Sequence, residues 1–104
     1  MKIYIAAPYT KGDVVLNIRR VIQAADALVA MGHTPLIPHL THFWHLISPK
    51  SHEFWLSYDL ELLDFCDALL RLDGESAGAD KEVEYAEQHC IMVFHSVEEL
   101  VGRL

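Results

Sequence analysis

The chain is poor in basic residues: 8 Lys and Arg stand against 15 Asp and Glu among 104 residues, a formal net charge of −7. A polyanion binder needs a basic stripe, and none is visible, so nucleic acid polymers are excluded as partners. Any anionic ligand must be small and met by local N–H groups. Glycine and proline are few, 5 and 4 respectively, and 52% of the residues are apolar, which excludes a disordered chain. Two cysteines, Cys66 and Cys90, do not make a disulfide framework. Each lies in apolar sequence at a helix–strand junction, and both read as buried thiols of a reducing, cytoplasmic compartment. No apolar run approaches the ~20 residues of a membrane span, so no membrane partner is expected. Met1 leads straight into strand-forming sequence without an n-region or cleavage site, and no signal peptide is expected. Internal repeats and low-complexity segments are lacking. So are a P-loop, GxGxxG, GxSxG and HExxH, which removes the phosphate-loop, dinucleotide, nucleophile-elbow and zincin readings.

What is present is enough for one domain, residues 1–104, with one real core. KIYIAA, residues 2–7, is β-rich and apolar at once and suits a central parallel strand covered on both faces. Residues 8–13 form a loop ended by Pro8 and Gly12, and Asp13 can cap the next helix. That helix, residues 14–31, carries Ile18, Val21, Ile22, Ala25, Leu28 and Val29 on one face and stops at Gly32. HTPLIP, residues 33–38, is a short strand whose prolines suit a sheet edge. Residues 39–51 read as an aromatic loop with one helical turn, and residues 52–65 as a helix. Residues 66–72 read as a buried strand, 79–89 as a helix, 91–95 as a last strand and 97–104 as a closing helix capped by Ser96. Strands alternating with helices predict an α/β fold: a small, doubly wound parallel sheet of the flavodoxin or Rossmann-like kind, about four strands in the order 2-1-3-4. Ligands of such sheets bind outside the strand C-termini, so the loops 8–13 and 73–78 should be neighbours there.

The stretch DGESAGADKEVEYA, residues 73–86, organises the rest. It joins a buried strand to a helix whose stripe is Ala79, Val83, Ala86 and Cys90, at i, i+4, i+7 and i+11. Free N–H groups of the first turn, beside Gly78, make an anion site. Glu82 sits at the edge of that stripe, while Glu84 and Glu87 point away. An acid there is also an ordinary favourable partner of the helix dipole, and on this stretch alone both readings stand. A second carboxylate, Asp59, falls near the middle of the apolar face of helix 52–65, among Trp55, Leu56, Leu60, Leu62, Leu63 and Cys66. A charge there costs several kcal/mol unless it is paired or faces a polar cavity. Two carboxylates facing one pocket suit chemistry at an acetal-like carbon, one as nucleophile and the other handling the leaving group's proton. His39, His42 and His45 invite a metal reading, but their three-residue spacing drifts around a helix and no Cys is near, so no metal or other cofactor is expected. Phe43, Trp44 and Trp55 fit either a stacking platform for a planar base or a contact surface.

These residues resemble the nucleoside 2-deoxyribosyltransferase family, including its deoxynucleoside 5′-monophosphate N-glycosidase branch. Tyr4 within KIYIAA matches the strand tyrosine that holds the catalytic glutamate. Asp59-Leu60 with Asp67 matches D-L-x(6)-D, and Ser76, Gly78, Glu82 and Ala86 match S-x-G-x-x-x-E-x-x-x-A. The resemblance implies that Glu82 attacks C1′ of the sugar, Asp59 assists departure of the base, Tyr4 orients Glu82, and His39 lies at the pocket edge. It implies that Ser76 and Gly78 take a 5′-phosphate, since transferases of free nucleosides carry Asp at the Ser76 position. The N-glycosidases carry Ser and Arg in the first loop; here that stretch is Pro8-Tyr9-Thr10-Lys11, so Tyr9, Thr10 and Lys11 are the substrate-binding candidates. The implied partner is a small-molecule nucleoside or nucleotide, and the implied assembly a homodimer or higher homo-oligomer with residues 39–55 at or near the interface. Asp59 is expected to hold a proton and Glu82 to stay ionised. A non-catalytic nucleotide-binding module is the rival reading, and it leaves the buried Asp59 unexplained.

Overall fold

The computed structural model describes residues 1–103. Its elements run β1 (Lys2–Ala6), α1 (Val14–Ala30), β2 (Thr34–Leu36), a 3₁₀ turn (Pro38–Thr41), α2 (His42–Ile47), α3 (His52–Leu63), β3 (Ala68–Arg71), α4 (Ala77–Gln88), β4 (Met92–Phe94) and α5 (Val97–Arg103). The four strands form one parallel sheet in the order β2-β1-β3-β4. The fold is therefore the doubly wound α/β sheet that the alternation of elements predicts.

Strand alternation sorts the core into two layers. Ile3 and Ile5 of β1, with Leu70 and Phe94, face α1 and α5 and pack on Val21, Ala25, Leu28 and Leu100. Tyr4 and Ala6, with Leu69, face α3 and α4 and pack on Leu63, Ala79 and Ala86. Each fully buried aliphatic side chain contributes about 1.5–3 kcal/mol, more than a helix cap at ~1 kcal/mol, so burial places the helices and the caps set their ends. The ends are nonetheless well made. Asp13 accepts from the N–H groups of Val15 and Leu16, and Ser51 from Phe54. Gly32, at φ +88°, ends α1 in the left-handed region that glycine reaches without strain.

β2 is an edge strand, as Pro35 suggests. Thr34 N–H donates to the Met1 carbonyl at 2.9 Å, so the next nitrogen, that of Pro35, points to the open edge, where no ladder bond is lost.

Several expectations are corrected. Residues 39–51 are not a loop with one turn: the 3₁₀ turn and α2 occupy most of them, and His39 lies in the 3₁₀ turn rather than at a strand end. The buried stripe of α1 is narrower than the apolar face, for Ile22 and Val29 are exposed. Cys66 is buried but Cys90 is exposed. Helix α4 ends at Gln88, one residue earlier than predicted, and Cys90 turns the chain at φ +59° while Ile91 N–H closes on the Ala86 carbonyl at 2.9 Å. That bond pattern is a Schellman stop, so Cys90 leaves the helical stripe altogether. The strands are shorter than predicted by one to three residues, and the last predicted helical residue, Leu104, lies outside those described.

Candidate active site

The sheet's C-terminal edge opens into a cleft of about 550 Å³. Loops, the 3₁₀ turn and helices α2, α3 and α4 meet there, and the loop after β1 touches the loop after β3. A Cβ added at Gly74, which has φ +121°, would stand 2.6 Å from Pro8 Cγ, so only glycine permits this approach.

Glu82 and Asp59 both line the cleft. Glu82, from the first turns of α4, is 7% exposed. The buried hydroxyl of Tyr4, rising from β1 beneath it, donates to Glu82 Oε2. Asp59, from the middle of α3, has its Oδ1 buried with no hydrogen-bond partner. Burial pushes the Asp59 carboxyl up to about 7. Burial likewise pushes Glu82 up to about 8, with the Tyr4 hydrogen bond and the charge of Arg71 pulling down and the Asp59 charge pushing up. This corrects the expected protonation: both carboxyls hold protons more tightly than usual, and Glu82, the more deeply buried, is raised at least as far as Asp59. The deep hydroxyl of Tyr4 is raised too, by burial and then by the two carboxylates, so it remains a donor.

Arg71 escaped the sequence reading. Alternation along β3 puts it, like Leu69, on the α3–α4 face. Its side chain is 11% exposed, and its guanidinium donates to the carbonyls of Leu72 and Gly74, the latter at 2.8 Å, and to Asp80 at 3.1 Å. It ties the loop after β3 to the first turn of α4, and its positive charge lowers the proton affinity of Glu82. Arg20 fastens the same loop from α1, donating to the Asp73 carbonyl at 3.0 Å. Nothing local marks either arginine, because both act through backbone carbonyls that only the tertiary fold brings near.

Ser76, Gly78 and the start of α4 form another wall. Ser76 caps the helix, its Oγ accepting from Ala79 N–H at 3.1 Å, and Asp80 N–H closes on the Ser76 carbonyl at 3.0 Å. Helix geometry leaves the N–H groups of Ala77 and Gly78 without intrahelical partners. The space that a Cβ on Gly78 would enter is open.

Tyr9, Thr10 and Lys11 also line the cleft. Asn17 holds their loop by donating to the carbonyls of Tyr9 and Lys11 at 2.9 and 2.8 Å. Lys11 pairs with Glu75 at 2.9 Å, and both are largely exposed, so the pair is worth little and exchanges readily. His39 is buried at the pocket edge and donates from Nε2 to the Pro8 carbonyl at 2.9 Å. Burial lowers its proton affinity, so it is neutral at pH 7. His42 bonds the Tyr9 hydroxyl and His45 accepts from Trp55, which gives the three histidines separate partners. Among the described residues no group of three or more His, Cys, Asp or Glu side chains is placed to share a metal ion. The cleft thus gathers Glu82, Asp59, Ser76, Gly78, His39, Tyr9, Thr10, Lys11 and Trp55, and Tyr4 reaches it through Glu82, whereas His42, Phe43 and Trp44 do not line it. It adds Glu75, Lys50 and His52, which carry no local signal, and His45, whose spacing suggested only the metal reading.

Residues 1–96 match the family described as Domain of unknown function (DUF7768). No curated protein matches the chain. Among solved structures, the fold is similar to that of a 2-deoxyribosyltransferase from the psychrotolerant bacterium Bacillus psychrosaccharolyticus. The TM-score is 0.68 at 21% identity, over 89% of this chain and 69% of that one.

Proposed function

The chain belongs to the DUF7768 family, and from its fold and cleft we propose that it cleaves the N-glycosidic bond of a deoxynucleoside 5′-monophosphate. The observation that carries this reading is the meeting of Glu82, Asp59 and the open first turn of α4 in one cleft, with Tyr4 bonded to Glu82. The likeness in fold to a 2-deoxyribosyltransferase supports it. The ionised Glu82 attacks C1′, the C1′–N bond breaks, and the departing base takes the proton of Asp59. Water then attacks C1′ of the glycosyl ester and gives its proton to the Asp59 carboxylate, freeing Glu82 and the sugar phosphate and restoring the acid. Hydrolysis is preferred to deoxyribosyl transfer because Ser76 stands where transferases of free nucleosides carry Asp. The 5′-phosphate sits against Ser76 Oγ–H and the N–H groups of Ala77 and Gly78, with Lys11 exchanging Glu75 for the phosphate.

Incubation with a panel of nucleosides and their 5′-monophosphates, followed by chromatography, tests this. Free base should appear from monophosphates, and Ser76→Asp should turn the preference towards free nucleosides by repelling the phosphate. No base from any substrate returns the cleft to a binding module.

The same reading carries a homo-oligomer built on a two-fold dimer. Phe43, Leu46 and Ile47 on α2 are 73%, 59% and 85% exposed, more apolar surface than a six-residue helix offers water without a partner. Light scattering at micromolar concentration should give at least the dimer mass, and a monomer there overturns it.

A further inference from the structure

The part of the cleft wall built by His45, Lys50 and Trp55 has no role in the chemistry above. Trp55 precedes Asp59 by four residues on α3, one turn along the same face. A base leaving Glu82's sugar towards the proton of Asp59 therefore turns its outer edge to this corner.

The hydrogen bonds of the corner determine what it offers. Trp55 Nε1–H donates to His45 Nδ1 at 2.7 Å, and the backbone N–H of Lys50 points to the same atom at 3.3 Å. An imidazole nitrogen that accepts carries no proton, so the ring proton of His45 is on Nε2, which is left as a donor. Lys50 also lines the cleft, and its flexible side chain supplies the second donor when its ammonium turns to a bound base. The ammonium lies 5.8 and 5.3 Å from the ring centres of Trp44 and Phe54, and one of its three hydrogens goes to Ser48 Oγ at 3.3 Å. Among the described residues it has no carboxylate partner. Trp55 has committed its only N–H and presents its ring. Edge-on packing against Trp44 and Tyr58, with centroids 5.1 and 5.8 Å apart, holds that ring in place. The corner thus combines a flat apolar wall with two donors.

We infer that this corner selects bases bearing a ring carbonyl where adenine and cytosine bear an amino group, namely 6-oxopurines and 4-oxopyrimidines. The inference rests on the glycosidic reading for the direction in which the base lies. A carbonyl accepts from His45 Nε2–H and from Lys50. An amino group would set N–H against N–H and leave both donors without a partner as water is excluded, the kind of mismatch that hydrogen-bonding sites reject most strongly. Lysine recognises the O6/N7 edge of guanine by the same acceptor pattern.

The test uses the full chain with the 5′-monophosphates of deoxyinosine, deoxyadenosine, deoxyuridine and deoxycytidine. Binding is read by quenching of Trp44 and Trp55 fluorescence in the Glu82→Ala protein, and turnover by base release in the unmodified one. The hypoxanthine nucleotide should bind at least about 10-fold more tightly than the adenine one, or the uracil nucleotide than the cytosine one. The purine and pyrimidine pairs tell which ring the cleft admits. His45→Phe keeps the ring packing and should erase most of the preference. His45→Gln, whose amide both accepts from Trp55 and donates, should restore part of it, and Lys50→Met should weaken it in a protein that folds normally. Equal binding of carbonyl and amino partners, or a preference unmoved by either His45→Phe or Lys50→Met, overturns the inference. So does a failure of all four to bind. A carbonyl preference in binding without any base release would support the corner while refuting the glycosidic chemistry.

Discussion

Glu82→Ala should reduce base release by at least about 10³-fold while leaving nucleotide binding within a few-fold, because the side chain removed is the proposed nucleophile and the phosphate contacts lie on the preceding turn. Single-turnover base release, measured beside fluorescence titration, separates the two. Full activity in Glu82→Ala would end the enzymatic reading. Glu82→Gln makes a second, independent expectation about stability. The carboxyl is buried and raised to about 8, so the folded chain binds this proton more tightly than the unfolded chain does. Its contribution to stability is complete below the ordinary glutamate range and is lost as pH rises through about 8. The amide keeps the hydrogen bond from Tyr4 and cannot ionise. Glu82→Gln should therefore be more stable than the parent at alkaline pH by on the order of a few kcal/mol, with the gain fading towards pH 5. Thermal melts across pH 5–9 check the sign; a gain that is independent of pH would mean that the carboxyl is not raised.

Much of the fold is written in local pattern. The β-rich KIYIAA must be covered on both faces, Pro35 belongs at an edge, and Asp13 and Gly32 announce helix ends with ordinary capping chemistry. Glu82 and Asp59 were legible for a different reason. Each is an acid on or beside an apolar helical face, a position that invites a function because burial there is costly. What was not legible depends on contacts across the fold. α2 has no stripe to reveal it, since HFWHLI buries no residue fully and is held by aromatic packing with α3. Arg71 looks like the polar end of a strand until the loop carbonyls of Leu72 and Gly74 close around it. The raised proton affinity of Asp59 follows from its place on an apolar helical face, whereas that of Glu82 does not, because the helix N-terminus favours its charge and only the tertiary fold shows how deep it lies. At 7% exposure, burial outweighs the ~0.3–1 kcal/mol of the dipole.

Asp59→Asn should change the shape of the pH profile as well as its height. The reaction needs Glu82 ionised and Asp59 protonated, yet burial sets their proton affinities near 8 and 7, so the reactive form is the minor one of the pair. Activity of the unmodified protein should follow a bell centred between about 7 and about 8, with both limbs belonging to the coupled pair. Substrate bound over Glu82 favours the reactive form, because the charge growing at C1′ stabilises the carboxylate. In Asp59→Asn no acid remains to lose a proton, so the alkaline limb should vanish. The negative charge that raises Glu82 is gone as well, so the one remaining limb should report Glu82 alone, at a pH below the about 8 it holds beside the Asp59 charge. The rate with ordinary bases should fall by about 10²–10⁴-fold, the usual contribution of a positioned acid. A nucleotide whose base already carries a positive charge needs no proton to leave, and its cleavage should fall far less. The ratio of these two substrates, measured as kcat/KM across pH, isolates the proton transfer from any general damage to the cleft. If both substrates slow equally, or the alkaline limb persists in Asp59→Asn, then Asp59 is not the acid and its buried Oδ1 serves another partner.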